Sequence, residues 1–499
     1  MLKEFLKAEN SGGEISSVVK FVRSGAPSAA FGVSFAEKCH IACALDTPFL
    51  YIVKDGFYGA KIREELAAML GEEVVYLPPK DDVLLYKTAF DKTRYYERLE
   101  AIYKIQSGAK YVVATTESLL QLFPKKLPSI AIERGQTLDP YELASFLVKR
   151  GYKRREFAED KASFALRGDI FEIYPVGSQS VYRIDFFGDE IETVTEYVGG
   201  DKENKKTVAK VTVISATDAI IRKEDADGIK TRLKESLSKF KTLLVKDDAR
   251  RIVSELTEKI DEGETGDELQ FLMPVLPTVT DAPLSFFSKD TVVILDECKM
   301  IADNLSAIIK EHTERVLTLS RTGRALDFTI LQLADSNKLI KRFAEFKELA
   351  LQNLTTTISF FNPLKTFAVK STPVARYSAK IEDLFRDVKN WKFTGYKIVV
   401  CCGSGARAEK IADAFAEQGI PALRSDGDGV RFGMVQVSSF FLPTGLISHE
   451  AKLVLIGTGD LFLLKPEEKK IKKKRGDLFQ APEVGDFAVH EIHGVGYVT

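Results

Sequence analysis

The chain has 499 residues, 45% of them hydrophobic and 29% charged, with a formal net charge of −1. That length allows roughly three or four domains, and the balance of charge excludes a global field that would gather nucleic acid or a membrane surface. Any charged partner must be met locally.

The opening MLKEFLKAENSGGEI lacks the apolar segment of a signal peptide, and no apolar run approaches the ~18 residues of a membrane span. Five unevenly placed cysteines do not make a disulfide framework. These features predict a cytoplasmic protein in a reducing compartment, with no membrane partner. From Phe31 to about Pro124, short β-branched runs (FLYIV, EVVYLPP, KYVVATT) alternate with helical stretches (AKIREELAAML, RYYERLEAIYKIQ). That rhythm predicts a parallel sheet with crossover helices, so that 1–124 supplies the leading segment of a first α/β domain.

Within it, GVSFAEKC (Gly32 to Cys39) sits where a nucleotide-binding chain carries G-x-x-x-x-G-K-[ST]. Lys38 is in register, but Glu37 replaces the second glycine and brings a negative charge where phosphates would lie. Cys39 replaces the hydroxyl and is a poor ligand for Mg²⁺. We therefore read Gly32, Glu37, Lys38 and Cys39 as a degenerate phosphate loop that binds no cofactor. A plain helix start after a turn explains the same residues. The overlapping CHIAC, with no second ligand pair, reads as two buried small hydrophobes and not as a metal site.

Residues 125–217 change texture. RGDIFEIYP and SVYRIDFFGDEIETVTEYV alternate apolar and polar residues around the turn VGSQ, as an inserted α+β unit would. In the second strand Tyr182, Ile184 and Phe186 share one face, and Arg183, Asp185 and Phe187 share the other. An aromatic ring beside a guanidinium on a solvated face is the composition of an interface anchor. Packing of Phe187 under the helix DPYELASFLVKRGYK explains it equally well, and both readings stand at this point.

Residues 218–370 return to helices and to DTVVILDEC, a buried strand ending in Asp296 and Glu297, with which the first α/β domain resumes. That strand end is where a motor ATPase holds Mg²⁺. With the loop degenerate, these carboxylates are expected to be remnants of a nucleotide site or structural groups. SRTGR (Ser320 to Arg324) reads as a surface turn. The stretch 371–378 reads as a linker, and 379–463 as a small α/β domain whose CCGSGARAEK is a tight strand-to-helix turn without a nucleotide. Residues 464–482, with the run Lys469 to Arg475, read as a basic tether. In the closing GDFAVHEIHGVGYVT, His490 and His493 are three apart in strand-like sequence, unlike the zinc pair of H-E-x-x-H. No catalytic and no metal-ligating set emerges. The last segment, 483–499, reads as a β unit cut short.

Taken together, RGDIFEIYPVGSQSVYRIDFFGDEIETV resembles the inserted domain shared by the excision-repair protein UvrB and the bacterial transcription-repair coupling factors. GDFAVHEIHGVGYV resembles the start of the RNA-polymerase-interacting domain of the coupling factors, which UvrB lacks. The resemblance implies a multidomain α/β chain. Its P-loop-NTPase-like, UvrB-like domain is degenerate and split by an insert, and a small α/β domain, a tether and the start of a truncated polymerase-binding domain follow. It implies binding to UvrA, a damage-recognition ATPase, through Arg167, Arg183 and Phe187. RNA polymerase, DNA, ATP and Mg²⁺ then belong to the full-length protein, a DNA translocase whose motor domains are absent here. The alternatives are a UvrB-like ATPase with an unorthodox loop, and a nonspecific DNA-binding module acting through Lys469 to Arg475.

Overall fold

The computed structural model describes residues 6–7, 13–81, 84, 91–198, 203–240, 243–263, 265–355, 360–378, 380–427, 433–463, 487–490 and 494–497. Residues up to Phe462 form one compact unit. At its centre is a seven-stranded sheet in the order Lys365–Ala368, Ser28–Phe31, Lys347–Gln352, Val292–Asp296, Phe49–Val53, Tyr111–Thr115, Val75–Leu77. All six neighbouring pairs are parallel. Strands from before residue 125 interleave with strands from after residue 290, so both flanks of the insert complete one sheet.

Parallel strands covered on both faces read as continuous apolar runs, and Phe49–Val53 is buried throughout. Its side-chain period of two sends Leu50 and Ile52 into one core and Phe49, Tyr51 and Val53 into another. The helix Gly56–Leu70 starts on Asp55, which accepts from the Tyr58 amide, and stops at Gly71 with φ +64°.

The insert is a six-stranded sheet in the order Lys205–Thr207, Glu190–Tyr197, Val181–Phe187, Ile170–Tyr174, Ser163–Arg167, Lys153–Arg154. Its pairings are antiparallel except the last. Ser129–Glu133 and Lys210–Ile214 pair antiparallel, which brings the two ends of the insert side by side. One face packs Phe164 on Phe171, with ring centroids 5.3 Å apart, together with Ile184 and Leu143 of the helix Pro140–Val148.

A further helical core, with Leu233, Leu256, Phe271 and Phe328, draws its residues from both sides of the strand Val292–Asp296 in sequence. The last sheet of this unit runs Ser371–Pro373, Leu446–Ser448, Leu453–Ile456, Lys397–Cys401, Val435–Ser438, Ala422–Arg424. Ser371–Pro373 falls inside the stretch read as a linker, and that reading is corrected there. These residues form an edge strand antiparallel to Leu446–Ser448, where a proline without an N–H is tolerated.

In the second unit, Phe487–His490 pairs antiparallel with Gly494–Tyr497. The basic run and the remainder of HEIH lie outside the described residues. Among the described residues, no helix is long and apolar enough to cross a membrane.

Candidate functional site

Gly32 follows the strand Ser28–Phe31 with φ +77°, and a Cβ there would stand 2.7 Å from the carbonyl oxygen of Val369. Glycine is therefore required by the crossing of two backbone segments, whether or not a phosphate was ever held there. Ser34 precedes the helix Phe35–Ala44, which carries Glu37, Lys38 and Cys39. The expectation that Glu37 projects its charge into a phosphate cradle is corrected by the structure. Glu37 is buried, and its Oε1 lies 3.1 Å from His40 Nδ1 within the same helix. Cys39 is buried and unoxidised, and burial pushes its thiol well up, so it supplies no thiolate.

Lys38 is what closes the site. Its Nζ lies 2.5 Å from Asp296 Oδ1 and 2.7 Å from Glu297 Oε1, joining the two sequence-predicted halves of a nucleotide site to each other. Tyr51 donates its hydroxyl to Asp296 Oδ2 at 2.7 Å. Glu297 adopts φ +58°, uncommon for a residue with a Cβ, and its Oε1 also accepts from the Asn353 amide at 2.8 Å. Burial works against charge on Lys38, but attraction to Asp296 and hydrogen bonds to both carboxylates outweigh it and hold the ammonium above the usual lysine range. The same burial pushes the Asp296 carboxyl upward. With an ammonium and a phenol in contact, however, the anion is the form its partners fit.

Lys38 is held between the two carboxylates, and Lys54 and Lys299 also line this corner. The adjoining cavity, of about 510 Å³, has apolar walls including Val33, Phe35, Met300 and Leu354. A triphosphate would have to detach Lys38 from both carboxylates and then sit beside them.

The open face of the insert has the opposite character. Cross-strand register sets Arg183 opposite Glu172, and Asp185 opposite Ile170, which in turn is opposite Arg167. Directly opposed residues point to the same face, so Arg167, Glu172, Arg183 and Asp185 share one surface. Arg183 Nε donates to Asp185 Oδ1 at 2.8 Å, and Asp185 Oδ2 accepts from Thr193 Oγ1 at 2.7 Å. Arg167 donates to Glu172 Oε2 at 2.6 Å and to the Glu156 carbonyl at 3.1 Å, and its guanidinium lies 4.5 Å from the centroid of the Phe157 ring.

A bulge between Asp185 and Phe186 shifts the register at the end of the strand. Phe186 still turns into the core, while Phe187 projects with 81% of its surface exposed, beside a turn in which Gly188 supplies φ +62°. Packing of Phe187 under the helix Pro140–Val148 is thereby excluded. Sequence reasoning missed Phe157 and Glu172, which hold Arg167. Strand alternation signals Glu172, which shares a face with Arg183, but nothing local signals Phe157.

The fold is a split parallel-sheet domain bearing a largely antiparallel insert, and residues 130–218, which span most of that insert, match the family model described as the UvrB interaction domain. Similarity to transcription-repair-coupling factors extends over nearly the whole chain. It is 24% identical to that of Bacillus subtilis (strain 168), covering 91% of this chain and 40% of the relative. To that of Staphylococcus haemolyticus (strain JCSC1435) it is 22% identical, covering 90% and 40%. To that of Staphylococcus aureus (strain USA300) it is 23% identical, covering 90% and 39%. The chain spans about two fifths of the length of these curated relatives.

Proposed function

We propose that this chain is the UvrA-recruiting portion of a transcription-repair coupling factor, docking through Arg167, Arg183 and Phe187. The observation that carries this reading is Phe187, a bare aromatic ring at the end of a strand whose neighbouring arginine is already oriented by Asp185 and Thr193. Rigid aromatic and arginine anchors dominate interface energies. In the proposed setting the protein works in the cytoplasm, and the larger protein links stalled RNA polymerase to excision repair and acts on DNA.

The test is affinity for UvrA, measured by pull-down and calorimetry. Phe187→Ala and Arg183→Ala are each expected to cost about 2 kcal/mol, close to a thirtyfold loss. Unchanged affinity in both variants overturns the assignment.

The proposal includes the absence of nucleotide chemistry at Lys38, supported by the engagement of that lysine with Asp296 and Glu297. Titration with ATP and Mg²⁺ is expected to give no binding tighter than about 10 μM. Tighter binding, or turnover by the purified chain, favours the rival reading of a UvrB-like ATPase.

A further inference from the structure

Where the insert meets the split domain, a cavity of about 590 Å³ is lined by Lys125, Lys126, Arg150 and Arg222 and by no acidic residue. In a chain with a net charge of −1 this concentration of one sign is local. Arg222 is already matched, with Nε 2.6 Å and Nη2 2.9 Å from the Asp225 carboxylate. The other three are not. Among the described residues, no carboxylate forms an ion pair with Lys125, Lys126 or Arg150.

Arg150 is the most telling of them. It is half-buried just beyond the helix Pro140–Val148, its guanidinium 5.2 Å from the centroid of the Phe146 ring. Its Nε is fully buried without a hydrogen-bond partner.

The walls are held in place by hydrogen bonds to backbone carbonyls. The Lys125 amide donates to the Thr278 carbonyl at 2.7 Å, Thr278 Oγ1 donates to the Ile220 carbonyl at 3.0 Å, and the Ala216 amide donates to the Arg150 carbonyl at 2.8 Å. Two ammonium point charges and one planar guanidinium fork lining one concavity suit a tetrahedral oxyanion with several acceptor oxygens.

We propose that Lys125, Lys126 and Arg150 form a binding site for a phosphate-bearing anion, either a free phosphate compound or the phosphodiester backbone of DNA. The full chain is titrated with pyrophosphate by calorimetry at low salt, and with a fluorescent single-stranded oligonucleotide by anisotropy at several salt concentrations. Pyrophosphate is expected to bind with a Kd below about 1 mM. Arg150→Gln and the double variant Lys125→Ala/Lys126→Ala are expected to weaken it about tenfold or more. Both lysines are exposed, so the double variant retains the thermal midpoint and separates lost binding from lost folding.

The oligonucleotide arm identifies the source. If DNA is the ligand, the double variant lowers the slope of log affinity against log salt by about 1.4. If oligonucleotide binding is the same in all variants while pyrophosphate binding falls, the ligand is a free phosphate compound. Absence of saturable pyrophosphate binding up to about 10 mM, or equal affinity in the wild type and both variants, overturns the site.

Discussion

Lys38 and Phe187 stand at opposite ends of what a single side chain can do for this protein. Lys38 is buried between Asp296 and Glu297, so removing its charge strands a carboxylate in an apolar strand end. Lys38→Met is expected to destabilise the fold by about 3–5 kcal/mol in urea denaturation. Adding Asp296→Asn should recover a substantial part of that loss, because the uncompensated charge goes with it. A stability close to wild type in Lys38→Met would mean that the lysine is not held as described. Phe187, four-fifths exposed, contributes little to the core. Phe187→Ala is expected to change stability by less than about 0.5 kcal/mol, so any loss of UvrA binding in that variant reports on docking and not on unfolding.

At the scale of elements, the fully apolar runs declared themselves in the sequence. FLYIV and the VVIL preceding Asp296 read as strands covered on both faces, and the structure places both in the interior of one sheet. Alternation along Val181–Phe187 likewise made the Arg183 face legible. What stayed hidden depends on particular contacts that strand and helix periodicity do not encode, some near in sequence and some distant. The bulge at Asp185 is set by pairing with Glu190–Tyr197. The inward turn of Glu37 depends on His40 and the surrounding core. The strand Ser371–Pro373 exists because Leu446–Ser448 offers it an edge. Gly32 belongs with these, since its need for glycine comes from Val369, far along the chain. Gly32→Ala forces a Cβ to 2.7 Å from a backbone oxygen at φ +77°. It is expected to cost about 1–3 kcal/mol by chemical denaturation, and a neutral substitution would show that the crossing can relax.

The whole molecule up to Phe462 is tied together where the last sheet meets the helices of the first. Leu446, Leu453 and Leu455 share a core with Ile41 and Leu66, so the small sheet and the large one should unfold together. In that seam Glu65 is buried, with Oε1 3.4 Å from the Thr444 amide and Oε2 without a partner. Burial pushes its carboxyl up to about 8, while the hydrogen bonds to Thr444 act weakly against it. Asp460, buried nearby, is pushed up to about 6 by its burial, against amides of Gly457 and Gly445 that donate to it. A carboxyl that binds its proton more tightly folded than unfolded adds stability below its ordinary value, near 4.5 for glutamate. That stability is lost as pH rises through the folded value. The melting temperature is therefore expected to fall between about pH 5 and pH 8, with Asp460 acting up to about 6 and Glu65 over the whole window. Glu65→Gln keeps a neutral acceptor for Thr444 and removes the titration. The variant should melt at a higher temperature than wild type at pH 8, with a flatter profile between pH 6 and 8, read by calorimetric scans across that range. Parallel profiles for the two proteins would place the pH dependence elsewhere than this seam.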